Sequence, residues 1–119
     1  IMRSLTLVFL SSAVIALSAC GPDCQSSCEK LYSQGGECKF TSPGDPNGEK
    51  SFAVCLDACE EAMAIPGSAG DYNPNEKTPS SQSITLENDQ QAAMWMDCVE
   101  EKSCELIKST GGRFCAPIW

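Results

Sequence analysis

Nine cysteines in 119 residues constrain this chain more than any other feature. They stand at Cys20, Cys24, Cys28, Cys38, Cys55, Cys59, Cys98, Cys104 and Cys115. An odd number cannot all pair within one chain, so one cysteine needs a different role. Cys24/Cys28 and Cys55/Cys59 form two CxxxC pairs. Residues four apart lie on one face of a helix, one turn from each other. CxxC, the usual redox spacing, is absent from the chain. Histidine is absent too. Its absence excludes Ser-His-Asp and Cys-His catalysis and imidazole ligation of zinc or haem.

The N-terminus accounts for the odd cysteine. Met2-Arg3-Ser4 is a short start with one positive charge, and an apolar run follows over residues 5–17. That run is shorter than the roughly 20 apolar residues of a bilayer-spanning helix. Charge, a short apolar stretch and then small residues form a secretory signal pattern. Leu17-Ser18-Ala19-Cys20 resembles the lipobox of bacterial lipoproteins. The resemblance implies diacylation of the Cys20 thiol, cleavage between Ala19 and Cys20, and acylation of the new amine. Stable anchoring needs two or more lipid signals, which such a terminus supplies. Gly21 follows Cys20, and the absence of Asp there resembles Gram-negative sorting to the outer membrane. The competing reading is an ordinary cleaved signal with Cys20 as one more half-cystine.

The expected division is therefore a cleaved signal peptide, 1–19, and a cysteine-rich domain, 20–119. Losing Arg3 takes the formal charge from −8 to −9. Such a surface is ill suited to nucleic acid or anionic headgroups. Eight cysteines remain, an even number behind an export signal, which implies a disulfide framework.

Helix signals dominate that domain. A first helix is expected over 22–33, with Pro22 in its first turn and Asp23 against its dipole. A breaker-rich loop over 41–48 follows. A second helix is expected from Lys50 or Ser51 to Ala64, with Phe52, Cys55, Leu56, Cys59 and Met63 as its apolar stripe. Residues 66–83 lack periodicity and read as a flexible surface loop. A third helix is expected over 85–102, capped by Thr85 or Ser83, with Leu86, Ala92, Trp95, Met96 and Val99 on its apolar face. A short fourth helix is expected over 103–109, with Ser103 as cap and Gly111-Gly112 as stop. The expected fold is all-α: a small, disulfide-stapled three-helix bundle plus the short fourth helix, built on an antiparallel twin-CxxxC hairpin.

Geometry narrows the pairing. Thiols one turn apart on one helix rarely bond each other. An antiparallel hairpin gives Cys24–Cys59 and Cys28–Cys55, and a parallel one gives Cys24–Cys55 and Cys28–Cys59. Antiparallel packing is the expectation for consecutive helices. An up-down-up bundle then suggests Cys38–Cys98, with Cys104–Cys115 as a local clasp. The rival is Cys38–Cys104 with Cys98–Cys115. The hairpin is similar to that of small mitochondrial intermembrane-space chaperones, which have shorter spacing between motifs and no lipobox. In layout the chain resembles small cysteine-rich lipoproteins of Gram-negative bacteria. The matching features are both CxxxC pairs and Trp-x-x-Cys-Val-x4-Cys over 95–104. That resemblance brings no activity with it.

The functional expectation is a non-catalytic binding or structural module of the bacterial envelope, anchored to the membrane through Cys20. Its partner would be an envelope or extracellular protein, met through Trp119, Tyr72 and the 66–83 loop, while Trp95 fills the core. No catalytic residue, cofactor or metal is assigned. Asp71, Asn73 and Asn75 mimic the start of a calcium loop, but Glu76 and Gln82 replace its required glycine and glutamate. The alternatives are a carboxylate-based or thiol-disulfide enzyme and a carrier of a small ligand between helices. Glu60/Glu61 and Glu100/Glu101 are sequence neighbours that read as solvated helix faces.

Overall fold

The computed structural model describes residues 21–79, 81–108 and 112–119. The expected signal peptide, 1–19, Cys20, Ser80, and Ser109 and Gly111 at the expected end of the fourth helix lie outside the described residues. Among those described are four helices and no strands: α1 (Cys24–Tyr32), α2 (Glu49–Met63), α3 (Asp89–Glu101) and α4 (Cys104–Ile107).

Each helix starts where a side chain satisfies its free N–H groups. Asp23 caps α1, accepting from the Ser26 amide at 2.7 Å, while the Ser26 hydroxyl accepts from the Asp23 amide. Pro22 therefore lies just before the cap, outside the first turn. In α2 the cap position is Gly48, which has no side chain to offer. Asp45 reaches in instead, its two carboxylate oxygens accepting from the Lys50 and Ser51 amides at 3.1 and 2.9 Å. These bonds hold the Asp45 carboxyl below its ordinary value, the Ser51 amide contributing most. Gly48 has φ +72°, and a Cβ there would stand 2.5 Å from the Tyr32 carbonyl oxygen. The left-handed turn and the close approach both require glycine.

The start of α3 corrects the expected cap. Asn88, not Thr85 or Ser83, accepts from the Gln91 amide at 3.0 Å. The Gln91 side chain in turn accepts from the Glu87 amide. Both amides also donate into the preceding loop, Asn88 to the Ser68 carbonyl and Gln91 to the Ala69 carbonyl. An Asn-x-x-Gln capping pair thus shortens the helix and fastens the loop in one device. Ser103 caps α4 as expected.

The CxxxC helices pack antiparallel through two rungs, Cys24–Cys59 and Cys28–Cys55. Cys28, Cys55, Leu31, Ala92, Trp95 and Val99 are fully buried around them. Lys30 ties α1 to the end of α3. Its ammonium donates to the carbonyls of Val99, Glu100 and Lys102. These are carbonyls that a helix C-terminus leaves unpaired, and a cation there also complements the dipole. Lys30→Met keeps the stem and removes the donors. It is expected to cost about 1–3 kcal/mol in urea unfolding. A change within a few tenths would mean that water replaces the ammonium at no cost.

The other two bridges correct the expected pairing. They are Cys38–Cys104 and Cys98–Cys115, whereas Cys38–Cys98 and Cys104–Cys115 do not form. The cause is the direction of the tail. The Trp95 indole N–H donates to the carbonyls of Cys115 and Pro117 at 2.9 and 3.0 Å. The tail therefore runs back over α3, where Cys98 lies three residues from Trp95 on the same face. Cys38 is held at the end of α1 by the hydrogen bond its backbone N–H donates to the Lys30 carbonyl. The Lys30 ammonium brings the chain at Lys102 to that same end, which delivers Cys104 to Cys38.

The described residues of the 66–83 segment form no helix or strand, yet they are fastened. Pro74 is fully buried, and its carbonyl accepts from the Cys115 amide. Thr78 and Arg113 exchange two backbone bonds at 2.8 and 2.9 Å.

Candidate functional site

The tail and the turn after α1 build a groove at the end of the molecule away from the N-terminus of α1. Each wall is placed by a bond already formed for folding. The Phe40 amide donates to the Leu31 carbonyl, fixing Phe40 just past α1. The Cys38–Cys104 bridge brings α4 and Lys108 alongside. The Tyr32 hydroxyl donates to the Trp119 carbonyl and accepts from the Trp119 amide, both at 2.7 Å. Trp119 packs edge-on against Trp95 with ring centroids 5.5 Å apart. All these segments attach at the C-terminal end of α1, about 12 Å along the helix from Cys24.

The groove holds about 250 Å³, with Phe40, Ile107, Ile118 and Trp119 as apolar wall and Lys108 and Arg113 as charges. No Asp or Glu side chain lines it, although the chain as a whole carries −8. The Lys108 ammonium lies 5.1 Å from the centre of the Phe40 ring, a cation–π contact. Arg113 is held by its backbone exchange with Thr78. Its Nε is shielded from water and has no hydrogen-bond partner among the described residues. The Ser27 hydroxyl, on α1, is the other such atom.

The structure separates the two expected contact residues. Trp119 is partly buried and lines the groove. Tyr72 is not an exposed contact: it packs against the core and donates its hydroxyl to the Ala116 carbonyl at 2.6 Å. Sequence reasoning missed Phe40, Lys108 and Arg113. Their one sequence-level signal is that an aromatic and two cations stand within four residues of Cys38, Cys104 and Cys115. Without the pairing, that signal cannot be assembled. Glu60, Glu61, Glu100 and Glu101 are exposed and do not converge with the groove lining. No cluster of three potential metal-ligating side chains occurs among the described residues. No described helix is long and apolar enough to cross a membrane.

Both tyrosines serve as clamps for the tail, and their chemistry makes this visible. Burial pushes the Tyr32 and Tyr72 hydroxyls above the ordinary value of 10.0; for Tyr32 the Trp119 backbone and the Arg113 charge offset part of that rise. A raised folded value means that the fold favours the neutral phenol. This contribution is complete below pH 10 and is lost as pH rises through the folded values. Absorbance near 295 nm is therefore expected to show no phenolate at pH 10.5 in the native protein. Ionisation should arrive together with unfolding at higher pH. Free titration centred on 10 would show that the clamps are open.

No protein-family model, curated protein or solved structure matches this chain.

Proposed function

We propose that this protein is a lipid-anchored, non-catalytic module of the bacterial cell envelope, tethered through Cys20 on the outer membrane and presenting its distal groove to an envelope or extracellular partner. One observation carries the reading. The four bridges use every cysteine from Cys24 to Cys115, so Cys20 has no cysteine of this chain left to pair with. A cysteine in excess of a closed framework, at the end of a lipobox-like sequence, is suited to a thioether-linked lipid. The polarity of the fold supports the same reading. The chain leaves α1 towards Cys20 at one end, and the groove opens at the other. The non-catalytic part rests on composition, above all on the lack of histidine.

The test is expression of the wild type and Cys20→Ser in a Gram-negative host, with detergent phase separation and labelling by a palmitate analogue. The wild type should carry label and enter the detergent phase. Cys20→Ser should carry none and stay aqueous while still folding. An unlabelled, aqueous wild type would refute the anchor.

A further inference from the structure

We propose that the pole of the domain next to Cys20 docks on the bilayer that holds the lipid, with Met63 and Ile65 entering the boundary between headgroups and acyl chains. The inference rests on the lipid at Cys20 and adds to it a second, non-covalent contact made by the folded domain. Three observations carry it.

The first is where the chain is tied. Cys20 precedes Cys24 by four residues, and Cys24 opens α1 in a bridge to Cys59. Four residues span at most about 14 Å. A lipid at Cys20 therefore keeps this end of the hairpin close to the membrane surface. Because α1 and α2 run antiparallel, α2 passes Cys59 towards that same side. Met63, its last residue, lies four residues and about 6 Å beyond the rung. The start of α3 is there as well, since the Asp89 amide donates to the Ile65 carbonyl at 2.8 Å.

The second is what this pole exposes. Met63 and Ile65 are 44% and 46% exposed, and they are two of the four large hydrophobic side chains that stand out among the described residues. The other two lie elsewhere, Val54 more than two turns back along α2 and Leu106 on α4. From Ala62 to Gly70 the chain carries no charge. A side chain that enters the interface is stabilised by the apolar area it removes from water. Glu61 and Asp71 bound the run and the whole chain carries −8, so the surface that fits is zwitterionic, not anionic.

The third is the backbone. A turn that enters lipid must bring its own hydrogen-bond partners, because unpaired N–H and C=O groups are costly there. The Ile65 amide already donates to the Ala62 carbonyl, and the Ile65 carbonyl accepts from Asp89. Pro66 has no amide hydrogen. The Gly67 amide donates to the Asp89 carboxylate at 3.2 Å, and the Asn88 side chain donates to the Ser68 carbonyl. The apolar side chains are thus presented on a turn with these groups satisfied in advance. Lipid and patch together hold the domain in one orientation, whereas a tether alone lets it swivel.

The experiment uses the lipidated protein from the Gram-negative host, carrying the palmitate analogue and isotope-labelled at the methionine methyls. It is placed in phosphatidylcholine nanodiscs that contain a lipid with a nitroxide near its headgroup. Met96, buried midway along α3, is the internal reference. The Met63 methyl signal should broaden several-fold more than that of Met96. Ile65→Gln, at an exposed position, keeps the reporting methyl and should leave thermal unfolding unchanged. It should move the docked-to-free ratio about tenfold towards free, and the excess broadening at Met63 should fall. That variant separates docking from mere nearness. Leu106→Gln, equally exposed on α4, should change nothing. A palmitate-labelled wild type whose Met63 broadens no more than Met96 would overturn the docking and leave the anchor standing. So would Ile65→Gln with the excess broadening intact. A wild type without palmitate would overturn the anchor and the docking with it.

Discussion

Trp95→Ala is expected to remove about 3–5 kcal/mol of stability, the range for deleting a large buried aromatic. Trp95 is the largest fully buried side chain, and its indole is the sole side-chain donor to the carbonyls of Cys115 and Pro117 among the described residues. The variant therefore opens a cavity and strips two carbonyls together. A small domain has roughly 5–15 kcal/mol in total, so chemical denaturation should show a fold near its limit. Trp95→Phe separates the two contributions. It keeps most of the volume and loses the N–H, for an expected cost of about 1–3 kcal/mol. The Trp119 ring, which leans on Trp95, should report the change as altered fluorescence. Equal stabilities for the Phe variant and the wild type would mean that the tail is not held by the indole.

Deleting bridges as alanine pairs should rank them in an order that the hairpin hides. Cys28 and Cys55 are fully buried, which suggests the largest loss. Yet the Cys24–Cys59 rung lies four residues beyond each of them and closes nearly the same loop. In the chain-entropy account, the inner rung then adds little beyond its packing. Cys38–Cys104 spans 66 residues of sequence, and no neighbouring bridge closes a similar loop. The same account gives it about 4 kcal/mol. Thermal unfolding under non-reducing conditions should therefore show the larger drop for Cys38→Ala/Cys104→Ala than for Cys28→Ala/Cys55→Ala. The reverse order would mean that core packing, not loop closure, sets the worth of these bridges.

What could be read from the sequence follows how local each feature is. The two rungs are legible because CxxxC at helical spacing fixes direction and register together. The all-helical class is legible for the same reason: the apolar stripes recur at 3.6 residues. The last two bridges are not, because their partners depend on where the tail returns. That path is set by an indole donating to two carbonyls 20 and 22 residues away, which no periodicity announces. The Asn88–Gln91 cap was within reach of the rule that pairs a capping residue with Glu or Gln three positions on. Ser83 and Thr85 are good N-cap residue types at the edge of a polar loop, but the chain there enters no helix until Asn88. The groove was hidden more deeply. Phe40, Lys108 and Arg113 come from three separate segments, and each looks like an ordinary turn or surface residue until the bridges join them.

The most direct measurement is mass spectrometry of the membrane-extracted protein, digested without reduction. The expected result is an N-terminal peptide beginning at Cys20 and carrying two or three acyl chains, together with four linked species: Cys24–Cys59, Cys28–Cys55, Cys38–Cys104 and Cys98–Cys115. A Cys20 found in a disulfide, or an N-terminal peptide without lipid, would contradict it.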